Sequence, residues 1–253
     1  MLSADRGERF FLGTVLVPSL IYTIPQVKFA VIFEETKIIT DFENRLAFLA
    51  KILYNIRINL LRGDTMLRER WNELESCCQS CQACTLGKTR TNLVFGVGNR
   101  EADLMFVGEA PGQAEDEQGI PFVGAAGKLL DRYLYAVGIP RESVYIANIL
   151  KCRPPQNRDP LPEEEDACIG YLREQVKLIQ PKIIVCLGRI SAMRLIKPDY
   201  RITREHGQFV RKGGILMTAV YHPAALLRDA SKKEDMLLDM ERIKEQLDLL
   251  TQP

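Results

Sequence analysis

From Met66 onward, apolar positions along the chain fall into two alternating patterns. Four short runs are almost wholly apolar and carry glycine or a polar residue near their ends: LMFVG (104–108), VYIANI (144–149), KIIVCLG (182–188) and ILMTAVYH (215–222). Unbroken apolar runs of this length predict strands covered on both faces. Between and around them, apolar residues recur at helical spacing. MLRERWNELESC (66–77) predicts a short amphipathic helix. AGKLLDRYLYAVG (126–138) puts Leu129, Leu130, Tyr133, Leu134 and Val137 on one face, with Gly138 as a C-cap and Pro140 as a stop. PEEEDACIGYLREQVKLI (162–179) predicts a third helix, with Pro162 in its first turn and Glu163 to Asp166 at its positive end. Met236, Leu237, Met240, Ile243, Leu247 and Leu250 mark the last helix. Strands alternating with helices predict an α/β fold with a parallel sheet between helical layers. Ligands of such sheets bind beyond the carboxyl ends of the strands. GEAPG (108–112), Asn148 and the His-Pro pair at 222–223 are therefore expected along one edge.

Residues 1–65 follow neither pattern. Phe10 to Tyr22 is apolar, but a membrane span needs about 20 apolar residues, and Pro18, Pro25, Gln26 and Lys28 interrupt this run. A signal peptide fits poorly, because Asp5 and Glu8 dilute a basic leader and no clean cleavage site follows. The expected division is 1–65 as an atypical N-terminal extension and 66–253 as the functional domain. Arg62-Gly63-Asp64 can be encoded by a purine-rich stretch like a ribosome-binding site. Met66 is accordingly a candidate for the true start, the alternative being a variable extension.

Composition adds bounds. The chain has 253 residues, 46% hydrophobic and 26% charged, as in an ordinary soluble globular protein. A net charge of +1 means that any nucleic-acid binding has to come from local patches. Seven cysteines, four of them between 77 and 84, do not make a secreted disulfide framework. They predict a reducing, cytoplasmic compartment with some cysteines on a metal. Cys78/Cys81 and Cys81/Cys84 both have the C-x-x-C spacing that lets two thiolates reach one metal site. Cys152 stands in a proline-rich loop, a poor place for a core thiol, and Cys168 follows it in the next helix. Cys81, Cys84, Cys152 and Cys168 would make a four-thiolate set, suited to zinc or to iron–sulfur, with Cys78/Cys81 as an alternative first pair. Cys186 reads as core, and Cys77 and Cys78 as spare.

GEAPGQAEDEQGIPFVGAAGKLL (108–130), Asn148 in ANILKC, the four cysteines and HPAALLR (222–228) together resemble the iron–sulfur uracil-DNA glycosylases known as family four. The resemblance covers roughly 66–250. It implies a three-layer α/β/α fold with a central four-stranded parallel sheet. It also implies a [4Fe–4S] cluster on Cys81, Cys84, Cys152 and Cys168, with zinc as the alternative, and removal of uracil from DNA to begin base-excision repair. A uracil pocket needs an aromatic face, which the resemblance assigns to Phe122. It needs an amide to read the base edge, for which Asn148 is suited. It needs a donor to uracil O2, assigned to His222, helped by backbone N–H groups of the 109–112 turn between Gly108 and Gly112. Glu115 is expected beside uracil C5, against thymine's methyl group. Ala110 stands where another branch carries a water-activating aspartate, and no carboxylate replaces it there; Glu109 is a candidate for positioning through its backbone more than its side chain. HPAALLR resembles a minor-groove loop with Leu226 or Leu227 as wedge and Arg228 on phosphate, against a plain helix start. Lys151, Arg153 and Arg158 are expected to form a phosphate-contacting surface around Cys152. His206 reads as a surface residue. The implied partner is uracil-containing DNA, single- or double-stranded, with no membrane and a monomeric protein. No motif speaks for or against a replication-clamp contact. Competing readings are a broader-range deaminated-base glycosylase of the same superfamily and a non-catalytic iron–sulfur nucleic-acid-binding module.

Overall fold

The computed structural model describes residues 65–252. The expected extension over 1–65 and the start at Met66 thus turn on residues outside the described ones. Six strands form one sheet: β1 (Val97–Gly98), β2 (Leu104–Gly108), β3 (Tyr145–Asn148), β4 (Ile183–Leu187), β5 (Val210–Lys212) and β6 (Ile215–Val220), in the order β1-β3-β2-β4-β6-β5. The four central strands run parallel, as expected, and β1 and β5 add antiparallel edges. These edges escape sequence reading because they are two and three residues long and exposed throughout. They carry no buried apolar position to announce them.

The helices are α1 (65–79), α2 (Leu86–Thr89), α3 (Gln113–Gln118), α4 (Ala125–Ala136), α5 (Pro162–Ile179), α6 (Arg189–Leu195), α7 (Ile202–Glu205), α8 (Pro223–Arg228) and α9 (Lys233–Thr251). The central strands are apolar throughout because each feeds two cores. Met105, Val107, Tyr145, Ala147, Ile184 and Cys186 face one core, where α1 and α5 contribute Trp71, Cys168, Ile169 and Leu172. Leu104, Phe106, Ile146, Val185 and Leu187 face the other, where α4, α8 and α9 contribute Leu130, Leu134, Leu226, Met236 and Met240. Cys186 lies fully inside the first core, as expected. The long helices end and begin as the sequence predicts. Gly138 takes a left-handed turn after α4, and Glu164 accepts the Leu161 N–H at the start of α5 at 2.9 Å. Among the described residues, no helix is long and apolar enough to cross a membrane.

One position in α4 ties helix packing to the site. A Cβ on Gly127 would stand 1.8 Å from the carbonyl oxygen of Phe122. Since backbone rather than a movable side chain blocks it, Gly127→Ala is expected to cost about 2–3 kcal/mol. Denaturant unfolding checks this, and an unchanged midpoint would refute the contact.

Candidate active site and cysteine cavity

The carboxyl ends of the parallel strands open into a cleft of about 370 Å³. Glu109, Ala110, Gly112, Glu115, Phe122, Asn148, His222 and Arg228 all line it. The β2/β3 register sets Gly108 directly beside Asn148. Gly108 has no side chain, and the space is used: a Cβ there would meet Asn148 Oδ1 at 2.3 Å and Phe122 Cζ at 2.7 Å. Asn148 is 1% exposed, and its Oδ1 has no hydrogen-bond partner among the described residues. Trp71 Nε1 and Thr218 Oγ1 are also unpartnered, but neither lines the cleft. A buried amide oxygen left without a donor costs about 1–3 kcal/mol.

Phe122 is held in a left-handed backbone conformation, φ 56°, which is unfavourable for an aromatic residue. Two anchors keep it there. Glu115 Oε1 accepts the Val123 and Gly124 N–H groups at 3.1 and 2.9 Å. Arg141 donates to the carbonyls of Pro121 and Phe122 at 3.3 and 3.2 Å, and pairs with Asp131. Sequence reading gave Glu115 a contact role only and missed Arg141, whose contacts to this turn are to backbone carbonyls about 20 residues away.

His222 caps α8, and its Nδ1 accepts the Ala224 N–H at 3.2 Å. A neutral imidazole with Nδ1 as acceptor carries its proton on Nε2. Burial pushes its pKa down to about 4, with the Arg228 charge acting in the same direction and Glu115 against it. The ring lies 5.8 Å from that of Phe122. Burial and the nearby Asp159 push Glu109 up to about 7, opposed by Arg189. α8 separates the two wedge candidates by exposure. Leu226 is fully buried in the core and unavailable to DNA, whereas Leu227 is 52% exposed. The HPAALLR segment is a helix started by Pro223, not an irregular loop.

A second cavity lies toward α1 and α5. Cys81, Cys84, Cys152 and Cys168 line it together, and so does the buried Cys78. Burial pushes Cys168 up to about 11 and Cys78 up to about 12. Arg90 Nη1 reaches Cys152 Sγ at 3.2 Å, and the Lys151 N–H reaches Cys168 Sγ at 3.3 Å. Among the described residues, no three His, Cys, Asp or Glu side chains are grouped as a single-ion site. Lys151 is 1% exposed, so it cannot belong to the phosphate-contacting surface expected around Cys152. Arg158 is committed to Glu164 at 2.6 Å, and Arg153 donates to Asn157 at 2.7 Å. His206 is not a free surface residue. Its Nδ1 lies 2.6 Å from the buried Asp239 carboxylate and its ring packs on Tyr221.

A family model described as the Uracil DNA glycosylase superfamily matches residues 95–244. The chain belongs to that superfamily. Within it, this glycosylase-superfamily chain is 49% identical over 174 residues to a Type-4 uracil-DNA glycosylase of Archaeoglobus fulgidus, covering 66% of this chain and 87% of the relative. It is 44% identical over 178 residues to a Type-4 uracil-DNA glycosylase of Saccharolobus solfataricus, covering 67% and 82%. A Type-5 uracil-DNA glycosylase of Pyrobaculum aerophilum is more distant, 31% identical over 146 residues, covering 51% and 64%.

His222 gives a direct test of the cleft's electrostatics. Its folded pKa lies near 4, below the ordinary histidine value of about 6.5. The unfolded chain therefore takes up this proton first as pH falls, so His222 weakens folding between those two values. NMR titration is expected to find a neutral Nε2–H imidazole at pH 6 and a midpoint near 4. A midpoint above 6 would contradict the buried acceptor geometry.

Proposed function

We propose that this chain is a monofunctional uracil-DNA glycosylase that hydrolyses the N-glycosidic bond of uracil in DNA and leaves an abasic site. The observation that carries the reading is the unpartnered, buried Asn148 Oδ1 in the cleft. Uracil offers N3–H to that oxygen and O4 to the amide N–H₂, whereas cytosine presents an acceptor and a donor in the opposite order. A base inside a duplex is out of reach, so it must be flipped into the cleft. There the Phe122 ring provides a stacking face. Exposed Leu227 is suited to fill the gap left in the duplex, with Arg228 toward phosphate. Glu115 lies at the same wall and supports discrimination at uracil C5.

Breaking the C1′–N1 bond leaves electron density on uracil O2 and positive charge on the sugar. His222 Nε2–H is the donor for O2, and a donor that meets charge only as it develops favours the transition state over the ground state. Glu109 lines the cleft beside Ala110, with Glu115 and Asp159 as the other carboxylates there, and its carboxylate is the one assigned to orient water. No lysine lines the cleft among the described residues, so no amine is at hand to form a Schiff base and cut the strand. The closer likeness to Type-4 than to Type-5 relatives supports the family-four reading.

The cysteine cavity fits a [4Fe–4S] cluster. Its lining offers five thiols and the Tyr171 hydroxyl, with no histidine or carboxylate, and the Arg90 guanidinium and the Lys151 backbone N–H stand against sulfur. Such a thiolate set suits iron–sulfur or zinc, and the resemblance to the family-four glycosylases supports the cluster. Cys81, Cys84, Cys152 and Cys168 would hold it, and it would supply a rigid tie between the α1–α2 segment, the loop after β3 and α5. The protein acts as a monomer in a reducing, cytoplasmic compartment.

A labelled strand with one uracil, beside a thymine control, tests the reading after alkali treatment. Cleavage is expected at uracil only, with losses of about 100-fold or more in Asn148→Ala and His222→Ala. Intact uracil strands from folded protein, single- or double-stranded, would refute it in favour of a binding module. Gly108→Ala is expected to lower kcat/KM by about 100-fold through displacement of Asn148 and Phe122. A wild-type rate in that variant would remove the close approach from the mechanism. With Glu109 working as the carboxylate, kcat rises with pH through about 7. Glu109→Gln should be slow and flat over the same range, and a retained pH limb would assign the titration elsewhere.

A further inference from the structure

Among the described residues Lys151 is the largest of the buried charged side chains, and the chemistry above does not use it. It is 1% exposed. Its ammonium donates to the carbonyl oxygen of Asn148 at 3.0 Å and to Gln175 Oε1 at 2.7 Å. Both acceptors are neutral. A buried cation answered only by neutral dipoles keeps much of its desolvation cost, so such ions are normally paired. The same residue lines the cysteine cavity, and its backbone N–H points to Cys168 Sγ at 3.3 Å. One residue therefore touches both sites.

The backbone around it explains what that contact does. After Asn148 the ladder with β2 breaks: Ile149 and Leu150 donate to the successive carbonyls of Gly108 and Glu109, both at 3.0 Å. The Asn148 carbonyl then lies at the turn, and Lys151 closes back onto it three residues later. Gln175 fixes the far side, donating from Nε2 to the Phe95 carbonyl at 3.0 Å and to the Tyr145 hydroxyl at 3.1 Å. Gln175 lies on α5, two turns beyond Cys168, so the same helix bears a thiol and aims the lysine.

We propose that Lys151 is a positioning residue that couples the two sites: its ammonium balances the negative charge of a four-thiolate cluster and holds the turn that aims the Asn148 amide into the cleft. This inference rests on the glycosylase reading for its second half. Four thiolates around a [4Fe–4S] core leave a net negative charge when bound, which supplies the counter-charge that the protein interior lacks at Lys151. The base-reading amide is thus held in register by the cluster's charge, with the cluster taking no part in bond breaking.

Lys151→Met keeps the unbranched stem of the side chain and removes its charged end. In holoprotein it is expected to retain iron and cooperative unfolding while the cluster's midpoint potential moves to more negative values, since a nearby cation favours the reduced form. Its kcat/KM on single-uracil DNA should fall between about 3-fold and 100-fold. Asn148→Ala should then cost several-fold less in this background than in wild type, because the amide is already misaimed. An unchanged potential, or Lys151 and Asn148 effects that simply multiply, would overturn the proposal. If Lys151→Met fails to load iron or fold, Gln175→Leu serves, since it frees the ammonium without touching a thiol. Coupling to Asn148→Ala with iron retained supports the assignment, and multiplicative effects overturn it. Wild-type protein that leaves uracil strands intact would defeat the glycosylase reading instead, and the potential shift would then decide the role of Lys151 on its own.

Discussion

The parallel pairing of β2 with β3, in the register that sets Gly108 beside Asn148, is the constraint on which the rest of the site depends. It brings two segments 40 residues apart to one sheet edge and lets an amide and an aromatic ring meet over a bare backbone. The β2/β4 and β4/β6 pairings then fix the distance to the end of β6, where His222 begins α8. Gly188, at the end of β4, allows this last approach, because a Cβ there would stand 2.8 Å from that of His222. Each functional side chain sits at a strand end or within a short segment that follows one, so sheet register is the coordinate system of the cleft.

A strained aromatic residue needs more than a register. Phe122 pays for its left-handed backbone with about 1–3 kcal/mol, and the charge-assisted bonds from Glu115 and Arg141 are of the size needed to offset it. They come from α3 and from the turn before β3, and Gly127 brings α4 against the same carbonyl. The ring face is consequently fixed from three elements. This gives Glu115 a load within the fold besides its place at the cleft wall, so its removal would loosen Phe122 as well as alter the C5 neighbourhood.

Much of this was legible in the sequence, for a definite reason. The four central strands are buried on both faces, so their apolar runs stand out, and α4, α5 and α9 declare themselves through faces that fill the two cores. The cleft residues were legible because GEAPG, Asn148 and His222 lie at the ends of those same strands. What the sequence hid depends on tertiary contact alone. Lys151 reads as one of three basic residues beside Cys152, yet it is inside while Arg153 and Arg158 bond to nearby side chains. Leu226 and Leu227 are adjacent and chemically alike, and only the face of α8 separates core from surface. His206 gains its partner from α9, 33 residues away.

The two sites use charge in opposite ways, and the difference follows from when the charge is present. Around the cysteines, the Arg90 guanidinium is set against sulfur and Lys151 lines the same cavity, where a bound cluster would carry negative charge permanently. A permanent charge is best met by another permanent charge, because both are then desolvated once, on folding. In the cleft, negative charge on uracil exists only while the glycosidic bond is breaking. A buried imidazolium there would demand a partner in the resting state and would bind ground-state carboxylates as readily as the transition state. His222 instead stays neutral, with Nδ1 occupied by the Ala224 N–H and Nε2–H left to donate. A fixed dipole of that kind is cheap to bury and gains most when the anion forms. Lys151 stands at the boundary of the two regimes: its charge answers the cysteine side, while what it holds on the cleft side is a neutral carbonyl. The cation can thus support the base-reading amide without placing a charge in the cleft that would alter the chemistry there.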